Sequence, residues 1–485
     1  MIFSNAHILT MDDAGTEHER GWLRIENGLI AELGTGDPPA HLTSSPLSLP
    51  FSSPPRVGSE PPATRQDHPL PENSAASRPS QQMRDDSSTE LCDLRGAVVM
   101  PGFVNTHHHL YQTLTRARAQ DADLFTWLQT LYPTWARIDD ELEYAAARTG
   151  IAELALSGCS TVFDHHYVFP RGVTGLVEAE IRAAREIGVR IVASRGSMDL
   201  GESDGGLPPD SLVESLDEIL ADTQRLAALA DDDFVQIAVA PCSPFSVTTR
   251  LMEESATLAR QLGLMLHTHL AETVEEEAYC RELYACTPVE YLERVGWLEN
   301  DVWCAHCIHL SDAEIGRFGK HGVGAAHCPT SNLRLGAGIA PVRKMLDAGV
   351  KVGLGVDGSA SNERSDLFYE VKQALLVARG VGGGAAMSAR EALRLATRGG
   401  AAVLGRTDIG SLEPGKRADL AIFRTDGLEL GGAADPVGGL VLSGPHRVDR
   451  LIVGGVDVVR GGSLVQADEQ EIAREHRIQA KRLDG

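Results

Sequence analysis

Residues 97–105 make an apolar, β-branched run, Ala97-Val98-Val99-Met100-Pro101-Gly102-Phe103-Val104-Asn105, that leads straight into Thr106-His107-His108-His109. Comparable runs recur at 160–164, 190–194, 235–241, 264–270, 301–307, 322–327 and 351–356. Between them, apolar residues fall at helical spacing in 175–187, 211–230, 249–262, 274–295, 312–322 and 341–348. Strands alternating with helices in this way predict an α/β chain closed into a TIM-like (β/α)8 barrel rather than an open sheet. The 274–295 helix carries Cys280 and Cys286 and is expected to include a surface excursion.

The two ends of the chain have a different pattern. Short strand-like runs at 1–11, 21–25 and 29–33 are broken by Glu26-Asn27-Gly28, a hairpin signal. Similar runs return at 91–94, after the turn Glu413-Pro414-Gly415-Lys416, and at 448–453 and 456–460. They predict a small composite β-sandwich built from both termini, comprising residues 1–35, 89–98 and 408–465. The barrel is expected over 99–407 and a charged helix over 466–485. Residues 36–88 are dominated by Pro, Ser and small polar side chains. Such a segment buries too little apolar surface to offset its ordering entropy, so a disordered insertion is expected there.

Composition changes this picture only by exclusion. The chain has 485 residues, 42% hydrophobic content and a formal net charge of −24. With no basic stripe to meet phosphates, nucleic acid is not an expected partner. The first residues lack the basic and apolar regions of a signal peptide, and no apolar run reaches membrane-spanning length. Eight scattered cysteines do not form a disulfide scaffold, which fits a reduced, cytoplasmic protein. Cys304 and Cys307 lie within one strand run, where positions three apart face opposite sides, so core packing is expected rather than redox or zinc chemistry.

Active sites of the barrel fold sit at the C-terminal ends of its strands. Those ends are rich in metal-ligand side chains: His107 and His109 after the first, His267-Thr268-His269 with Glu272 at the fifth, His306 at the sixth, His327 at the seventh and Asp357 at the eighth. On an extended chain His107 and His109 share a side, and His108 faces the other way. A lone histidine would be read as core or surface, but ligand-type residues on five strand ends point to a metal site. Deaminases of single-stranded nucleic acid use His-x-Glu with Pro-Cys-x-x-Cys. Here Pro241-Cys242-Ser243-Pro244 lacks the second cysteine, which excludes that class.

This constellation resembles the amidohydrolase superfamily: Pro101-Gly102-Phe103 before the paired histidines, His269, His306, Asp357, and the late Leu412-Glu413-Pro414-Gly415-Lys416-Arg417-Ala418-Asp419-Leu420. The resemblance implies that His107, His109, His269 and Asp357 bind one divalent metal ion, zinc or ferrous iron. Two-metal members need a strand-four lysine, and the first lysine here is Lys320, so the one-metal subtype is implied. By the same resemblance His306 would orient the attacking water, Asp357 would accept its proton, and Glu272 would pass protons to the substrate ring.

The substrate is the finest expectation. His-x-His-x-x-Gln places Gln112 where guanine deaminases read a purine edge, and a carboxamide offers both a donor and an acceptor. Longer runs, among them Phe163-Asp164-His165-His166-Tyr167 and His327-Cys328-Pro329-Thr330-Ser331-Asn332-Leu333-Arg334, are similar to bacterial 8-oxoguanine deaminases. That similarity implies conversion of 8-oxoguanine and water to urate and ammonia. Guanine deaminases carry an Arg-Phe pair where this chain has Pro244-Phe245, which places guanine itself in doubt while leaving Phe245 to stack on a ring. Trp135 is a further candidate pocket wall, with a place in the core as the equal alternative. Open alternatives on the same metal site are an s-triazine amino- or chlorohydrolase and a deaminase of adenosine or S-adenosylhomocysteine type. A non-catalytic metal-binding scaffold is the alternative from another class. The expected partner is a small molecule, and barrel relatives imply a homo-oligomer.

Overall fold

The computed structural model describes residues 1–43, 90–231 and 233–485. Eight parallel strands close into a barrel in the order one to eight: Phe103–Asn105, Cys159–Asp164, Arg190–Ser197, Val235–Pro241, Met265–Leu270, Val302–His306, Gly324–His327 and Lys351–Leu354. Their inward side chains, including Val104, Phe163, Val192, Ala238, Trp303 and Ala326, pack into one fully buried layer, as expected of a barrel filled by its own residues.

The apolar run at 97–105 is two strands rather than one. Ala97–Pro101 pairs with the terminal sheet, and Phe103–Asn105 opens the barrel. Gly102 makes the switch, because a side chain there would collide with Ser160 on barrel strand two. The 274–295 helix also divides, into Val274–Tyr284 and Pro288–Arg294. Pro288 cannot continue a helix, and Thr287 and Glu290 cap the new one reciprocally. After barrel strand one, the chain forms two helices, Leu124–Trp135 and Asp140–Leu156. The charged C-terminal helix, Glu469–Asp484, is tied to the latter by Arg148 and Glu475 at 2.8 Å. Cys304 and Cys307 are both buried.

The termini build one nine-stranded mixed sheet in which Ile2–Leu9 and Ala97–Pro101 are central. Its edge strand, Leu29–Thr35, folds back so that Leu29 bridges Arg417, just before Leu420–Arg424. That curl encloses Phe3, Leu23, Ile30, Val99, Leu420 and Ile452 as a second core, which gives the sandwich character. Ala40–Thr43 forms one helical turn. The remainder of the Pro/Ser-rich stretch expected to be disordered lies outside the described residues.

One buried ion pair ties the two layers together. Arg190, the first residue of barrel strand three, donates from Nη1 to both carboxylate oxygens of Asp419 at 3.1 Å, and each side chain is 2% exposed. Asp419 also accepts from the Gly454 amide at 2.7 Å. Removing one partner of a buried pair strands the other charge. Arg190 is also held by Asp233 at 3.0 Å, so the substitution that strands a charge is Arg190→Leu; it is expected to cost about 3–5 kcal/mol in denaturant unfolding, and a loss below about 1 kcal/mol would contradict this role for the pair.

Candidate active site

Barrel strands one, five, six and eight bring His107, His109, His269, His306 and Asp357 to one point. Strand one stops at Asn105, so the histidines follow the strand rather than lie on it. The alternation still holds. The rings of His107 and His109 converge, with centroids 4.7 Å apart, while His108 turns away and meets Ser365 Oγ at 2.8 Å. Asn105 fixes this geometry: its Nδ2 donates to the His107 carbonyl at 3.2 Å, and its Oδ1 accepts from the Val356 amide at 2.9 Å.

The proton positions of the imidazoles follow from their partners. His109 Nδ1 donates to the His165 carbonyl at 2.7 Å, and His269 Nδ1 to the Cys242 carbonyl at 2.6 Å. Both rings are held well below the usual histidine range, first by burial and then by the neighbouring imidazoles, so both are neutral. Each Nε2 is therefore an unprotonated lone pair, yet the two lie 3.2 Å apart. Asp357 Oδ1 is 3.4 Å from His107 Nε2 and 3.3 Å from His109 Nε2. Burial opposes ionisation of Asp357, but the surrounding histidines outweigh it and hold its carboxyl well below the usual range. Ligands bonded at about 2.1 Å to one cation stand roughly 3.0–3.4 Å from one another. The bare Nε2 atoms of His109 and His269, with Asp357 Oδ1 3.3 Å from the first and 3.4 Å from His107 Nε2, stand at about that spacing, and the set fits one cation.

Ala271, His306, Cys307 and Asp357 all have φ between +50° and +71°. Non-glycine residues there cost about 1–3 kcal/mol each and cluster at functional sites. The Ala271 turn presents Glu272 and is held by Glu276, whose carboxylate accepts the Ala271 and Glu272 amides at 2.8 and 3.1 Å. Glu272 Oε2 lies 3.6 Å from His306 Nε2, and the other nitrogen of that ring meets Asn332 Oδ1 at 2.9 Å. Burial pushes the Glu272 carboxyl up to about 7, more than the His306 ring draws it down. For His306, burial opposes the charge but Glu272 and Asp357 outweigh it, so its pKa is raised. A titratable carboxyl and imidazole thus stand side by side at the edge of the donor cluster.

A pocket opens over these groups, with Gln112, Trp127, Tyr132, Phe245, Leu335 and Ser361 among its walls. Gln112 Oε1 is buried without a partner, and Gly358 leaves it room, since a side chain there would collide with the amide. A family model, the amidohydrolase family, matches residues 98–457. The chain belongs to that family.

The chain is accordingly a hydrolase, and its similarities agree with the site. It is 48% identical to 8-oxoguanine deaminase from Pseudomonas aeruginosa over 392 residues, 80% of this chain and 87% of that one. It is 38% identical to isoxanthopterin deaminase from an unknown prokaryotic organism, over 81% of this chain and 87% of the relative. Among solved structures, atrazine chlorohydrolase from Arthrobacter aurescens TC1, complexed with zinc, superposes with a TM-score of 0.85 at 30% identity, over 99% of both chains.

Against this amidohydrolase frame, the sequence placed Gln112, Phe245, Glu272 and the histidine–aspartate cluster together, and the structure brings them together. Trp135 is the correction. It is fully buried behind the pocket, with its indole N–H on Thr115 Oγ1 at 3.1 Å, and Trp127 takes the wall position instead. Both belong to one apolar stripe of the Leu124–Trp135 helix, so periodicity groups them without separating their depths. His165 and Glu276 were missed: His165 packs on His269 with ring centroids 4.7 Å apart, and its carbonyl orients His109. The signals were the place of His165 in the 163–167 run, one residue past a strand, and that of Glu276 four residues after Glu272. Trp127→Ala is expected to raise KM about tenfold or more, whereas Trp135→Phe lowers Tm and leaves KM unchanged. The opposite pattern in steady-state kinetics would return the wall to Trp135.

Proposed function

We propose that this chain deaminates an aminated purine by hydrolysis, converting 8-oxoguanine and water to urate and ammonia, with one divalent cation, zinc first, held by His107, His109, His269 and Asp357. The observation that carries the reading is Glu272, a buried carboxyl with a pKa near 7 standing 3.6 Å from His306 at the edge of a metal-ready donor set. The 48% identity to an 8-oxoguanine deaminase supports the choice of substrate, and Gln112 supports a lactam-bearing ring, since its buried Oε1, without a partner among the described residues, can accept from a lactam N–H. Eight free thiols support a cytoplasmic place in purine breakdown.

When bound, the cation lowers the pKa of water and polarises it for attack. The residues do the rest. Asp357 accepts the water proton and His306 orients the oxygen toward C2. Glu272 protonates the adjacent ring nitrogen as the C–O bond forms. The proton on Asp357 then leaves with the amine as ammonia, and the new hydroxyl returns its proton to Glu272 as the carbonyl forms. Phe245 and Trp127 hold the ring and exclude water.

Ammonia release from 8-oxoguanine, guanine, isoxanthopterin, adenosine and an aminotriazine tests the reading. Fastest turnover of 8-oxoguanine is expected, and silence on every purine with turnover of the triazine would overturn it. Glu272→Gln is expected to cut kcat by roughly 10²–10⁴-fold while substrate still binds. Because Glu272 acts protonated, kcat/KM falls as pH rises through about 7. A bound dication draws that limb to lower pH without changing its sign, and a rate that climbs through this range would contradict the assignment.

A further inference from the structure

We propose that His267 is a positioning residue for the metal site, holding His107 in the tautomer that presents a bare Nε2 to the cation. The inference rests on the metal site of the proposed function but concerns a histidine that function does not use.

His109 and His269 each donate Nδ1–H to a main-chain carbonyl, whereas His107 Nδ1 faces another imidazole, His267 Nε2, at 3.0 Å. Two neutral imidazoles in contact leave the direction of that hydrogen bond open until something fixes one of them. The carbonyl of Trp303 fixes it. It accepts from His267 Nδ1 at 3.0 Å, and a carbonyl only accepts, so His267 carries its proton on Nδ1. The ring is wholly buried between the Phe163 and Trp303 rings, and its two nitrogens face a carbonyl and an imidazole rather than a carboxylate, so it carries the single Nδ1 proton and its Nε2 is an acceptor. His107 must then donate from Nδ1, which strips its Nε2. That atom is buried, has no hydrogen-bond partner and lies 3.4 Å from Asp357 Oδ1.

The relay is rigid. His267 is wholly buried between Phe163 and Trp303, with ring centroids 4.7 Å from each. Trp303 is itself pinned, because its indole N–H donates to the Thr106 carbonyl at 3.1 Å, one residue before His107. The barrel's packed layer therefore sets both the place and the proton of the first ligand. Partners of this kind, behind a ligating histidine, are typically worth roughly 10–100-fold in metal affinity.

Zinc affinity of the purified full-length protein, measured by competition with a chromogenic chelator, tests this without reference to any substrate. H267F keeps the ring shape but offers no acceptor, and its zinc affinity is expected to fall by roughly 10–100-fold. H267Q reaches the Nε2 position with an amide oxygen and is expected to keep affinity close to wild type. If H267F does not fold, H267N replaces it, since its shorter side chain serves Trp303 but leaves His107 without an acceptor. Wild-type affinity in H267F or H267N overturns the proposal, and so does an equal loss in H267Q. A wild-type protein that binds no zinc would instead sink the metal reading on which the proposal stands.

Discussion

Every imidazole that converges on the centre of this barrel has its other nitrogen already committed. The carbonyls of His165, Cys242 and, through His267, Trp303 accept those protons and leave lone pairs crowded against Asp357. Backbone carbonyls cannot switch from accepting to donating, so the polarity of the site is built into the strand ladder. The strained turns at Ala271, His306 and Asp357 persist because that ladder and Asn105 over-determine them.

The same constraint separates two kinds of carboxyl within one pocket. Asp357 sits among imidazoles and stays ionised, whereas Glu272 sits where burial dominates and keeps its proton near neutrality. Environments that push neighbouring titratable groups apart assign acid and base roles. In the proposed reaction the ionised group takes the proton of water and the protonated one donates to the ring.

The barrel rhythm and the histidines, Asp357 and Glu272 that converge at its centre were legible because each lies at the end of an apolar run, where period and chemistry coincide. The split at Gly102 was not, since both halves of residues 97–105 are equally apolar and only the collision with Ser160 divides them. Trp127 and Trp135 share one helical stripe, and depth within a stripe leaves no mark on its period. His267 stands among the ligand-type residues of strand five and His165 in a longer run, but their parts were not legible: one depends on the Trp303 carbonyl that the His267 ring meets across the barrel, the other on the His109 ring that the His165 carbonyl meets.

The central claim is a one-cation hydrolase. It is tested most directly by stripping the protein with a chelator and returning zinc in measured equivalents while following ammonia release from 8-oxoguanine. The account predicts no activity in the stripped protein and a linear return that saturates at one equivalent per chain. Full activity without metal, or saturation only at two equivalents, would contradict it.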